Sequence, residues 1–100
     1  MMHRVVYTPE AEAQLVELYF YIAAAASPEI PTRYTDRLVS LCESFATFPT
    51  RGTARDEIRP GLRTLGYKKR VTIAFDIVED LVTIHGIFYG GQDFEAAFQE

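Results

Sequence analysis

Residues 71–89 read VTIAFDIVEDLVTIHGIFY. In the first part Val71, Ile73, Phe75 and Ile77 alternate with Arg70, Thr72, Ala74 and Asp76, the two-residue period of a half-buried strand. Glu79-Asp80 supplies the turn. Leu81 to Tyr89 is then apolar on both faces, with Val82, Ile84 and Phe88 set against Leu81 and Ile87, which predicts a central strand. Gly90-Gly91 breaks it, and Gln92 to Glu100, with Phe94, Ala97 and Phe98, reads as a short helix or tail. Upstream, Pro60 to Tyr67 reads as a further strand, softened by glycine. Residues 49–57 have no period and contain Pro49 and Gly52, which predicts a loop.

The first half has a different period. His3 to Tyr7 is short and partly β-branched, as a strand is. Thr8 suits a helix N-cap, Pro9 the first helical position, and Glu10 and Glu12 the positive end of the helix dipole. Ala11, Leu15, Leu18, Tyr19, Ile22 and Ala26 then fall on one helical stripe, which Ser27-Pro28 stops. Ser27-Pro28-Glu29 opens a second helix whose stripe is Ile30, Tyr34, Leu38, Leu41, Cys42, Phe45 and Phe48, ended at Phe48-Pro49. Two helices with almost no linker form an antiparallel hairpin. The order is β-α-α-β-β-β, an α+β fold with a helical hairpin packed on one face of a mostly antiparallel sheet.

One hundred residues, 48% of them apolar, make one domain over residues 1–100. No apolar run approaches the roughly 18 residues of a membrane span. The start lacks the apolar stretch of a secretory signal, and the single cysteine, Cys42, cannot form an internal disulfide. A reducing, cytoplasmic setting is expected. The net charge of −4 hides an asymmetry: residues 51–70 carry seven bases against two acids, and the other eighty carry three bases against twelve acids. A protein gripping nucleic acid along its whole surface is basic throughout. One basic stretch on an acidic chain fits a local anionic partner, or simply a solvated edge.

Several chemistries have no residues to carry them. His3 and His85 are the only histidines, and no HExxH, CxxC, GxSxG or phosphate-loop motif occurs, so neither a metal nor a cofactor is expected. His85 reads as a strand residue with a satisfied ring, and Cys42 as a core thiol beside Leu38 and Phe45. What remains is basic and aromatic. With the helices on one face, Arg70 is expected on the open face of the sheet, joined by Arg63 from the neighbouring strand, where guanidinium groups suit carboxylate or phosphate. The same arginines could instead pair with Asp76 or Glu57. Tyr19, Phe20 and Tyr21 are consecutive on a helix, so Phe20 or Tyr21 must face outward.

Taken together these residues resemble the ParE/RelE toxin family of type II toxin–antitoxin systems, closer to ParE. The resemblance rests on Thr-Pro-Glu-Ala-Glu-Ala-Gln-Leu at 8–15, Arg59-Pro60-Gly61-Leu62-Arg63 and Tyr67-Lys68-Lys69-Arg70. It continues through Val71, Ile73 and Phe75, then Val82 and Ile84, and Ile87-Phe88-Tyr89-Gly90. It covers nearly the whole chain. It implies one of two activities: cleavage of mRNA on the ribosome, as in RelE-type members, or poisoning of DNA gyrase, as in ParE-type members. Arg70 matches the sheet arginine of the family. No Lys or Arg follows Arg70, where RelE-type relatives carry further bases. Stabilising a phosphorane with one arginine and a neutral Tyr67 or Tyr89 is thin chemistry, so a non-catalytic gyrase poison is the leading expectation. An mRNA endonuclease and a non-toxic co-repressor module are the alternatives. The resemblance also implies a ParD-like antitoxin as partner, with DNA reached only through it. The expected contacts for antitoxin or target are Phe20, Tyr21, Arg59, Arg63, Lys68, Lys69, Arg70 and Tyr89.

Overall fold

The computed structural model describes residues 3–25, 29–68, 70–90, 92 and 94–98. Its elements are β1 (Arg4–Tyr7), α1 (Pro9–Ala25), α2 (Glu29–Glu43), a 3-10 turn (Ser44–Ala46), β2 (Thr53–Ala54), β3 (Arg63–Tyr67), β4 (Val71–Val78), β5 (Leu81–Tyr89) and α3 (Phe94–Ala97). The expected α+β order is present, with the two-residue β2 added inside the expected loop. The sheet runs β1-β5-β4-β3-β2; β1 is parallel to β5 and every other pairing is antiparallel. The Ser27-Pro28 break between the helices lies outside the described residues.

Thr8 joins the two halves. Its Oγ1 accepts a hydrogen bond from Ala11 N at 3.1 Å, capping α1. Its backbone N–H donates to Ile84 O at 3.0 Å, and its hydroxyl to His85 O at 3.3 Å. The residue that starts α1 is therefore also the last rung holding β1 to β5. Beyond Ile84, β1 has ended, and among the described residues β5 has no strand on that side. Gln14 of α1 takes over: its Oε1 accepts from Ile87 N at 2.8 Å. Gly86 makes room for this approach, since a Cβ there would lie 2.4 Å from the Phe88 ring and 3.3 Å from Gln14 Oε1.

β5 departs from simple alternation at one place. Phe75 pairs with Ile84 and Ala74 with Gly86, so His85 is an extra residue, a β-bulge. The phase of side chains reverses across it. Val82 and Ile84 face the helices, and beyond the bulge so does Ile87, whereas Phe88 turns to the opposite face. The sequence reading, which placed Phe88 with Val82 and Ile84, is corrected by that one inserted residue.

The main core lies between the helices and the sheet. Ala11, Leu18, Leu38, Cys42 and Phe45 meet Val71, Ile73, Phe75, Val82, Ile84 and Ile87, and Phe45 stacks on Phe75 with centroids 4.5 Å apart. α2 ends one turn before the expected Phe48. Ser44 donates its hydroxyl back to Leu41 O and accepts from Arg51 Nη1, the backbone tightens into the 3-10 turn, and Phe48 is left exposed. The far face of the sheet is not the open polar surface expected. Leu62, Ala74 and Phe88 are buried there under Ile58, Phe94 and Phe98.

Cys42 is fully buried against Tyr7, and burial pushes its thiol up to about 11. The Tyr7 phenol is raised for the same reason, with Cys42 adding to the effect. A group raised on folding stabilises the fold below its unfolded value and loses that contribution as pH climbs to its folded value. Stability is thus expected to decline from the thiol's ordinary 9.0 towards about 11, and Cys42→Ala is expected to flatten that slope in urea titrations at successive pH values. Gln14→Ala leaves the Ile87 N–H without its partner, and is expected to lower the unfolding free energy by about 1–3 kcal/mol, read as a lower urea midpoint at constant m.

Candidate functional site

At the end of the sheet where β3 turns into β4, a pocket of about 410 Å³ opens between sheet and helices. α1 supplies Leu18, Tyr21 and Ile22, and α2 supplies Tyr34. Arg70 and Val71 come from the start of β4, Tyr89 and Gly90 from the end of β5. The bulge is what brings Tyr89 here. It pairs with Val71 on the helix side, and its ring lies 4.9 Å from that of Tyr21. Tyr34 meets Tyr67 edge-on at 5.3 Å.

Arg70 does not stand on the far face of the sheet. It lies in the turn before β4, with its N–H donating to Tyr67 O and its carbonyl accepting from Gly90 N, each at 3.2 Å. Lys68, in the same turn, holds a positive φ of 51°. A turn side chain has no strand pleat to fix its face, so Arg70 comes round to line the pocket with Tyr34 and Tyr21. Burial raises the Tyr34 phenol above its ordinary value; Tyr67 adds to this and Arg70 opposes it.

A second cleft, of about 270 Å³, lies on the other side of Tyr34 and is lined by Arg33, Tyr34, Arg37 and Lys68. Tyr34 is the wall the two share. Arg33 and Arg37 are one helical turn apart and so point the same way. Sequence reasoning missed both, along with Tyr34 as a site residue. Their i, i+4 spacing was the available signal, but they lie outside the basic stretch that drew attention.

The expected contact residues thus separate. Tyr21, Lys68, Arg70 and Tyr89 come together around these two hollows. Lys69 lies outside the described residues. Phe20 and Tyr21 both face outward, and Phe20 belongs to a different groove, about 330 Å³, with Leu15, Val16, Tyr19 and Thr35. Arg63 does not join Arg70. It pairs across from Phe75, is half-buried, and donates from Nε to Arg51 O at 3.0 Å. Arg59 lies over the Phe98 ring at 6.0 Å, with the cluster on the far face. Asp76 pairs with neither arginine; its Oδ2 is 2.8 Å from His85 Nε2, the satisfied ring expected. Among the described residues no group of three His, Cys, Asp or Glu is placed to hold a metal ion, and no helix is long and apolar enough to cross a membrane.

Comparison with known proteins places this architecture. The model of a family described as ParE toxin of type II toxin-antitoxin system, parDE, matches residues 5–94. No curated protein matches the chain. Among solved structures, a chain of the chromosomal ParDE TA system from P. aeruginosa superposes with a TM-score of 0.76 at 21% identity, over 88% of this chain and 96% of that one. At that identity the likeness is one of fold.

Proposed function

The chain belongs to the ParE toxin family of type II toxin–antitoxin systems, and from that premise we propose that it arrests growth by poisoning DNA gyrase and is neutralised by a ParD-like antitoxin. The family match across residues 5–94 carries this reading. The chemistry of the pocket supports a poison that binds over one that cuts. Among its described lining residues Arg70 is the single cation, and burial pushes the Tyr34 phenol away from ionisation, with Tyr67 adding to this and Arg70 opposing it. A ribonuclease needs a proton acceptor at working pH, and the described residues of this pocket offer three phenols and a guanidinium.

The outer groove between α1 and α2 is the best surface for the antitoxin. Val16 and Phe20 are 56% and 64% exposed there, beside Leu15 and Tyr19. Adjacent exposed apolar side chains at helical spacing suit the apolar face of a partner helix. Arg59 and Arg63 remain candidates for acidic antitoxin residues. Arg59 sits on the opposite face of the sheet from Phe20, so a segment touching both must pass around the edge of two layers, a path on the order of 20 Å.

Refolded toxin added to gyrase, ATP and relaxed plasmid is expected to accumulate protein-linked double-strand breaks or to block supercoiling. Normal supercoiling by gyrase in the presence of folded toxin would remove the gyrase target. Phe20→Glu is expected to weaken antitoxin binding at least tenfold, and Arg59→Glu with Arg63→Glu to weaken it and to flatten its salt dependence. Calorimetry across a salt series separates the two contributions.

A further inference from the structure

We propose that the tyrosine pocket and the cationic cleft beside it form a single nucleotide-binding site, with the base among the tyrosines and its phosphates on Arg33, Arg37 and Lys68. The two hollows are neighbours that share Tyr34 as a wall, and their other walls differ in kind. On one side Tyr21, Tyr34 and Tyr89 surround apolar Leu18, Ile22 and Val71. On the other, apart from Tyr34, every described lining residue is a cation. Arg70 belongs to the first hollow and comes from the same turn as Lys68.

This division matches a ligand that is flat and aromatic at one end and multiply anionic at the other. The tyrosines offer ring faces for stacking and hydroxyls for the edge of a base, and guanidinium planes also stack on bases. Lys68 Nζ lies over the Tyr67 ring, 5.7 Å from its centroid, on an exposed side chain. Arg33, Arg37, Lys68 and Arg70 are all exposed, and no ion pair joins any of them to a described carboxylate. Arg33 and Arg37, one turn apart on a helix, present two forked donors side by side, the geometry that grips phosphate oxygens bidentately. The volume of the first hollow, about 410 Å³, lies in the range of small-ligand sites. A peptide of acidic residues alone would use the cations but has no flat ring to place among three tyrosines. The site is distinct from the outer α1–α2 groove and does not depend on gyrase being the target.

The same chemistry is presented by a free nucleotide and by a nucleotide at the end of a single strand. The test is a calorimetric titration of the refolded full chain at low salt with ATP, a tetrathymidylate, inorganic triphosphate and polyglutamate. ATP or tetrathymidylate is expected to bind at least tenfold more tightly than inorganic triphosphate. Preference for ATP assigns the free nucleotide, and preference for tetrathymidylate assigns the strand. Arg33→Glu with Arg37→Glu is expected to weaken binding of the preferred probe at least tenfold. Tyr21→Ala, at an exposed position, is expected to weaken it about tenfold while leaving triphosphate unchanged. Circular dichroism checks that each variant is folded, and Arg37→Gln replaces the double variant if that one is not. Equal affinity for ATP and triphosphate, tighter binding of polyglutamate than of ATP and tetrathymidylate, or no saturable binding of ATP and tetrathymidylate below about 1 mM would each overturn the proposal.

Discussion

One edge of β5 has to be satisfied by two different elements. β1 pairs with it in parallel as far as Ile84, and from there α1 leans in and Gln14 accepts the Ile87 N–H. A strand cannot be handed from a strand to a helix without a change in direction. The bulge at His85 makes that change, and Gly86 provides the clearance. Thr8 sits at the handover, capping α1 and bonding to both Ile84 and His85. The angle of the helical hairpin on the sheet follows from this joint, because α1 is fixed to β5 by the Gln14 side chain and by its Thr8 cap as well as by packing.

The candidate site inherits the same geometry. Reversal of phase at His85 sends Tyr89 to the helix side, where it meets Tyr21, and sends Phe88 to the far side, where Phe94 and Phe98 cover it. With strict alternation from Val82 onward the two residues would exchange faces, and the pocket would lose an aromatic wall. The far-face cluster and the pocket are therefore two results of one inserted residue. Arg59, held over Phe98, belongs to the first, and Arg70, held in the β3–β4 turn, to the second.

Much of the fold was legible because its signals are local. The limits of β5, the Thr8 cap, the proline at the start of α1 and the Glu79-Asp80 turn each follow from a few adjacent side chains, and all are present. The bulge was not legible in the same way. His85-Gly86 fits an uninterrupted strand as well as a bulged one, and which occurs depends on Gln14, more than seventy residues away in the chain. The site was only half legible for a related reason. Seven bases within residues 51–70 look like one patch, yet that stretch passes through a loop, a strand and a turn. Arg51 and Arg63 are bound at the edge of the main core, Arg55 and Arg59 on the far face, and Lys68 and Arg70 at the pocket. The cations that share a cleft with Lys68, Arg33 and Arg37, lie among acidic neighbours on α2, where net charge conceals them. Clustering along a chain is not clustering in space.

The parallel pairing of β1 with β5 also dictates when the molecule can exist. Thr8 and His85 are separated by 77 positions, and α1 has no sheet to lie on until β5 has been made. Closing so long a loop before any contact compensates for it slows folding and makes it cooperative. As the polypeptide leaves the ribosome from its N-terminus, the helical hairpin emerges early with its apolar faces uncovered, and neither the tyrosine pocket nor the far-face cluster has yet formed. The tyrosine pocket and the far-face cluster are completed together, once β5 has joined the sheet.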